Sequence, residues 1–197
     1  VEYMEGMFLD AYRFNQDIGN WDTSSVTTML QMFNYALDFN QDIGNWNTSK
    51  VKNMGLMFFI TPEFNQDISR WDVSNVTTID LMFNRATKFN QDLGKWNLKS
   101  LVGEQRLFTE TAMDCVNYSL TLKGWSQNNE IPSNMTIESG GRVYGDYGSE
   151  FRNLLINSKN WTFLGDSYDQ NCLVIEEVQT PYITRWNSNI NGDNSKQ

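Results

Sequence analysis

Apolar and polar positions along the first half of the chain recur every 25 residues. The run Phe14-Asn15-Gln16-Asp17-Ile18 returns from Phe39 to Ile43, from Phe64 to Ile68 and from Phe89 to Leu93, without insertion or deletion. Val26, Val51, Val76 and Leu101 keep one register, and Met32-Phe33, Met57-Phe58, Met82-Phe83 and Leu107-Phe108 keep another. Val1, Met4, Met7, Phe8 and Ala11 obey the same spacing, so the first residue falls inside a unit and the chain reads as a piece of something longer. A fixed period with constant apolar positions marks a repeat architecture in which each unit buries its apolar face against its neighbours.

Within a unit the apolar spacing changes. Val26, Met29, Met32, Phe33 and Ala36 lie three or four residues apart, which predicts a short helix with one apolar face. Ser24 or Ser25 is placed to cap it. Phe14 to Ile18 reads as a short extended segment, followed by a turn in which Gly19 takes positive φ. The expected fold class is therefore α/β. It is a solenoid of 25-residue strand-plus-helix repeats, with a parallel sheet on one side and helices on the other. Positions that vary between units, Arg13, Asp38, Glu63 and Lys88, and Asn20, Asn45, Arg70 and Lys95, are expected to face water and to hold any partner specificity.

The period fails after Phe108. Asn117 to Trp125 reads as a helix, Met135 to Ile137 as a strand, Ser149 as the cap of a second helix carrying Phe151, Leu154 and Leu155, and Trp161 to Leu164 as a further strand. This order suits an irregular C-terminal cap that extends the sheet. The expected organisation is a repeat solenoid over 1–114, a capping region over 115–180, and a linker or the start of a β-rich domain over 181–197. The two cysteines, Cys115 and Cys172, bracket the cap and fit no metal-binding spacing. A disulfide fastening the cap is expected, against the alternative of two free buried thiols.

Composition narrows the chemistry. Histidine is absent, which removes the commonest general base and zinc ligand. Asp17, Asp42, Asp67 and Asp92 recur identically, whereas a carboxylate-based active site needs two acids in different environments. The reading is no enzyme and no catalytic residues. The net charge of -9, with 15 scattered basic residues, argues against nucleic acid. No apolar stretch is long enough to span a membrane, and no membrane insertion is expected.

Three ladders are expected from unit to unit. Asn15, Asn40, Asn65 and Asn90 pair across units, although repeated amides beside Trp rings also suit a glycan. Trp21, Trp46, Trp71 and Trp96 form core. The Asp ladder repels itself by about 1 kcal/mol per neighbour in water, so backbone N–H donors, a cation such as calcium, or solvent must offset it. Strict alternation places Gln16 with Phe14 and Ile18, whereas a bend exposes it; both facings stay open. No metal ligand and no cofactor are otherwise assigned. Asn47, Asn75, Asn117, Asn134 and Asn160 head glycosylation sequons.

The unit Val-Thr-x-Met-x-x-Met-Phe-x-x-Ala-x-x-Phe-Asn-Gln-Asp-Ile-x-x-Trp-Asp-x-Ser resembles the BspA-like bacterial surface-protein repeats, a divergent branch of the leucine-rich repeats found in mycoplasma lipoproteins and Bacteroidetes surface proteins. Asn117-Tyr118-Ser119, Gly124-Trp125, Leu154-Leu155-Ile156 and Trp161-Thr162 resemble that family's cap, and Pro181 to Trp186 looks like the opening of a β-rich module. The resemblance implies a secreted or cell-surface protein used in adhesion. Its partners are a host-cell or matrix protein or glycan, or neighbouring domains of the same large protein. The alternative is a structural spacer or assembly subunit of a larger surface protein or filament.

Overall fold

Thr28, Asn53 and Thr78 explain how successive units are joined. They follow Tyr3 in a line of parallel β-bridges, each 25 residues from the last. On either side of this line, alternate N–H groups donate forward: Met29, Gln31, Phe33 and Tyr35 to the carbonyls of Asn53, Gly55, Met57 and Phe59. A computed structural model describes residues 1–174. The expected linker or β-rich start over 181–197, and the end of the capping region, lie outside the described residues.

The helix expected from Val26 to Ala36 does not form. Gln31 and Tyr35 hold φ of 57° and 59°, values a right-handed helix excludes. Instead, tight turns follow one another: Met32 N–H donates to Met29, Asn34 to Gln31, Ala36 to Phe33 and Phe39 to Ala36. Consecutive four-residue turns bring Met29, Met32, Phe33 and Ala36 to one side, as a helix would, so the apolar spacing cannot separate the two. Ser24 accordingly caps no helix; its N–H donates to the Asp22 side chain. Phe14 to Ile18 is not a strand either. Its links to the next unit run through the Asn side chains, and the backbone ladder lies in the segment expected to be helical. Gly19 does not take positive φ; a Cβ on its backbone as it stands would sit 2.6 Å from the Asp42 carbonyl oxygen, although the matching position of the third unit holds Ser69.

Beyond the units, regular elements appear. β1 (Glu104–Arg106), β2 (Thr136–Glu138) and β4 (Thr162–Leu164) form a parallel three-stranded sheet in the order β1-β2-β4. β3 (Val143–Tyr144) and β5 (Ser167–Tyr168) form a parallel pair. Two helices, α1 (Cys115–Gln127) and α2 (Asp146–Lys159), pack on each other. Asp114 caps α1 by accepting from Asn117 N–H. α2 starts three residues before Ser149, with Gly145 at its cap and no side-chain bond there. The bridge line continues into β1, because Leu81 N–H donates to Arg106. The described chain is thus a mixed α/β structure with parallel strands and two helices.

Its core is one continuous cluster of buried apolar side chains running from the first unit into the cap. Phe33 stacks on Phe39 at 3.8 Å between ring centroids, and Phe58 on Phe64 likewise; Phe33, Phe58 and Phe83 lie 5.6 and 5.8 Å apart across units. Helix α1 meets the last unit with the contacts that a further unit would make. Asp114 N–H and the Asn117 amide donate to Asn90 Oδ1, and Trp125 Nε1 donates to the Leu93 carbonyl at 3.1 Å. Gly124 allows the approach: a Cβ there would fall 2.2 Å from the Gly94 carbonyl oxygen.

Candidate functional site

The amide ladder spends its hydrogen bonds inside the molecule. Asn15 Oδ1 accepts from Asn40 N–H and Gln41 Nε2, both at 2.9 Å. Asn40 Oδ1 accepts from Asn65 N–H and Gln66 Nε2, and Asn65 Oδ1 from Asn90 N–H and Gln91 Nε2. Gln41, Gln66 and Gln91 therefore reach back along the outer side to the preceding unit, while Gln16 is exposed. Carbonyl oxygens already accepting two donors leave little for a sugar hydroxyl.

The Asp ladder is held within single turns. Asp17, Asp42, Asp67 and Asp92 each accept through Oδ1 from the N–H two residues on, that of Gly19, Gly44, Ser69 or Gly94. Hydrogen bonds from the Ser69 backbone and side chain hold the Asp67 carboxyl below the ordinary 3.8, against a smaller opposing effect of burial. Asp22 is lowered in the same way by Ser24. Among the described residues no group of three or more His, Cys, Asp or Glu side chains is placed to hold a metal ion.

Trp46, Trp71 and Trp96 are buried, and their Nε1 atoms donate to the carbonyls of Ile18, Ile43 and Ile68 at 3.1 Å. Trp21 differs: it stands at the end of the stack and is 40% exposed. The variable charged positions pair across units, Arg13 with Asp38 and Lys88 with Glu63, all exposed. Such pairs contribute at most about 1 kcal/mol. Asn20, Asn45, Arg70 and Lys95 are exposed.

Cys115 and Cys172 are joined in a disulfide, with Cα atoms 5.8 Å apart. Deeper in the cap, Asp166 is almost wholly buried and accepts from Arg152 at 2.8 and 3.0 Å and from Tyr118 Oη at 2.9 Å. Burial, with the neighbouring Asp166 charge, raises the Tyr118 hydroxyl well above its ordinary value. This cluster locks α1 to the loop after β4.

A different face displays side chains that no internal contact requires. Leu9, Tyr12, Tyr35, Leu37, Phe59 and Ile60 occupy the outer turns of the first three units, and none is fully buried. Tyr35 and Phe59 meet edge to face, with centroids 6.0 Å apart. In the fourth unit the matching positions are Asn84, Arg85 and Thr87. One position in each turn is left-handed: Asp10, Tyr35, Ile60, Arg85 and Glu110 hold φ between 52° and 62°. That conformation costs an L-residue about 1–2 kcal/mol, and a β-branched Ile60 is a pronounced outlier. Glycine would adopt it freely and never occurs there.

Sequence reasoning missed these residues because it placed them on a helix. The signal was present as positions that change character from unit to unit: Asp10, Tyr35, Ile60 and Arg85 at one, and Tyr12, Leu37, Pro62 and Thr87 at another.

These features define a class first: a mixed α/β protein whose first half is an internal repeat and whose second half is a disulfide-bonded helix-and-strand unit. Residues 2–125 match the family described as Mycoplasma protein of unknown function, DUF285, and the chain belongs to that family. No curated protein and no solved structure matches it.

Proposed function

We propose that the repeated half is a solenoid of the BspA-like leucine-rich type and that the chain is a non-catalytic, secreted or cell-surface binding module. Its turn face holds a host-cell or matrix protein or a glycan by apolar and aromatic contact. Hydrogen bonds and ring stacks that recur at 25-residue offsets support the solenoid. The absence of histidine from the sequence supports the non-catalytic reading. A disulfide persists in an oxidising compartment, which supports an extracellular site.

The observation that carries the reading is the left-handed position at Tyr35 and Ile60. The same φ recurs at Asp10, Arg85 and Glu110, so the turn belongs to the unit, and what sets Tyr35 and Ile60 apart is the large apolar side chain that each holds there without being fully buried. Exposed aromatic side chains are also the residues that anchor interfaces.

The test is a binding screen of the full chain against immobilised matrix proteins, glycans and host cells, repeated with the Tyr35→Ser/Phe59→Ser variant. Binding that falls at least about tenfold in the variant is expected, as for loss of interface anchors. Silence throughout, or binding that the variant leaves intact, overturns the reading in favour of a spacer whose partners are neighbouring domains.

A further inference from the structure

Next to the exposed ring of Tyr35, Asn34 is a buried polar side chain whose amide is unused. It is 5% exposed, its Oδ1 is buried without a hydrogen-bond partner, and its Nδ2 donates to nothing among the described residues. Its backbone is satisfied: the N–H donates to Gln31 and the carbonyl accepts from Asp10 N–H. The fold does not ask for an amide here. Leu9 and Phe59 hold the matching positions of the neighbouring units, and an apolar side chain at Asn34 would leave no atom orphaned. A buried polar atom without a partner costs stability and calls for a donor from outside the chain.

The surroundings of this amide are apolar. Tyr35 is 37% exposed, and Leu37, Phe59 and Ile60 are half-buried. Tyr35 N–H donates to the Phe59 carbonyl and Ile60 N–H to that of Asn84, so these backbone donors are spent within the stack. Asn34 therefore supplies one acceptor and one donor, side by side, next to an apolar patch. The terminal torsion of an amide is broad and two-fold, so either end turns to the opening.

We propose that Asn34, Tyr35, Phe59 and Ile60 form a site for an extended polypeptide segment of a protein partner, one residue of which pairs its backbone with the Asn34 amide. The proposal rests on the turn-face reading above and narrows it from protein or glycan to protein. In an extended segment the N–H and C=O of one residue point the same way, as in an antiparallel ladder. They meet Oδ1 and Nδ2 of Asn34 as they would meet a second strand. Side chains two residues apart in such a segment are separated by about 7 Å, close to the 6.0 Å between the Tyr35 and Phe59 rings, so an apolar one packs on each. A sugar ring fits poorly. The two aromatic rings are inclined at 65° and make no flat platform, and its several hydroxyls meet only one amide and the Tyr35 hydroxyl. A second copy fits no better: four part-exposed side chains offer at most about 300 Å², against about 800 Å² per partner in a stable interface.

The experiment screens the full chain against phage-displayed random peptides and a glycan array, with the Asn34→Leu and Tyr35→Ser/Phe59→Ser variants alongside. Asn34→Leu installs the residue type that Leu9 already holds one unit earlier, and its urea midpoint is expected to stay level or rise. Selected peptides are expected to bind this variant at least about tenfold more weakly than the parent chain. An ester scanned along the best peptide removes one backbone N–H at a time. At the paired residue it should weaken binding to the parent by about tenfold and leave binding to Asn34→Leu unchanged. The ester arm uses the unaltered chain, so it decides the pairing even where the variant folds badly. A peptide that tolerates the ester at every position, or binds Asn34→Leu as well as the parent, overturns the pairing; if Tyr35→Ser/Phe59→Ser still abolishes binding, the turn-face reading stands. Glycan binding lost in that serine variant, with no peptide bound, has the same meaning. Silence in every arm, or binding that no variant weakens, overturns both.

Discussion

Replacing Trp71 by Phe tests whether the stacked tryptophans hold the units together. Trp71 is 2% exposed, lies 6.5 Å from Trp46 between ring centroids, and donates to the Ile43 carbonyl. That carbonyl also accepts from the Trp46 backbone N–H, so the substitution does not orphan it. The lost bond therefore costs about 1 kcal/mol. The smaller ring forgoes about 1 kcal/mol of apolar burial and leaves a gap worth about another 1 kcal/mol. Together W71F is expected to cost about 3 kcal/mol. Trp21 supplies the control within the same molecule: its indole N–H has no acceptor among the described residues and its ring is 40% exposed. W21F is expected to cost less than about 1 kcal/mol, as a substitution that breaks no buried contact. With a urea slope of about 2 kcal/mol per molar, the W71F midpoint should fall about 1 M below that of W21F. Urea titration followed by far-UV circular dichroism reads the difference. Equal midpoints would show that the Trp ladder is filler and that the other contacts between units hold them together.

Three further outcomes follow from the geometry. Gly124→Ala drives a Cβ into the Gly94 backbone; despite alanine's better helix propensity, it should destabilise by about 2 kcal/mol, measured by thermal unfolding. Replacing Cys115 and Cys172 together by Ser removes a cross-link over a separation of 57 residues, for which chain entropy gives about 4 kcal/mol; a midpoint unmoved by the double variant would refute that stabilisation. At Asp80, burial pushes the carboxyl upward, but the hydrogen bonds and charge of Arg106 outweigh it and leave the group below 3.8. A depressed carboxyl stabilises the fold above its unfolded value and loses that contribution as pH falls through the folded one. Asp80→Asn should therefore lower the urea midpoint at pH 7, and the gap to the parent chain should close as pH falls below 3.8.

The sequence made the period, the core positions and the cap elements legible, because burial acts on side-chain type directly. Met29, Met32, Phe33 and Trp46 are all inside, and α1, α2, β2 and β4 lie within a few residues of their expected places, whereas the short pair β3 and β5 was not expected. Backbone conformation within the unit was not legible. Helix and consecutive tight turns give the same apolar spacing, and only a residue at positive φ separates them. Glycine would have announced that residue, and here Tyr35, Ile60 and Arg85 occupy it instead. The turn face was hidden by the same error, since a helix directs Tyr35 and Phe59 differently. The ladders of Asn and Asp were visible as repetition, but whether their oxygens were free or occupied depended on distances between units.

The bond between Cys115 and Cys172 also sets the path of mechanical force. Tension applied to the chain after Cys172 crosses the disulfide to Cys115, at the first residue of α1, and bypasses residues 116–171. Load then enters the stack beside Asp114 and Asn90, whose side chains and backbone are joined by two hydrogen bonds. The cap is thereby shielded from being pulled open, and it keeps sealing the apolar end of the stack while the chain bears a pull.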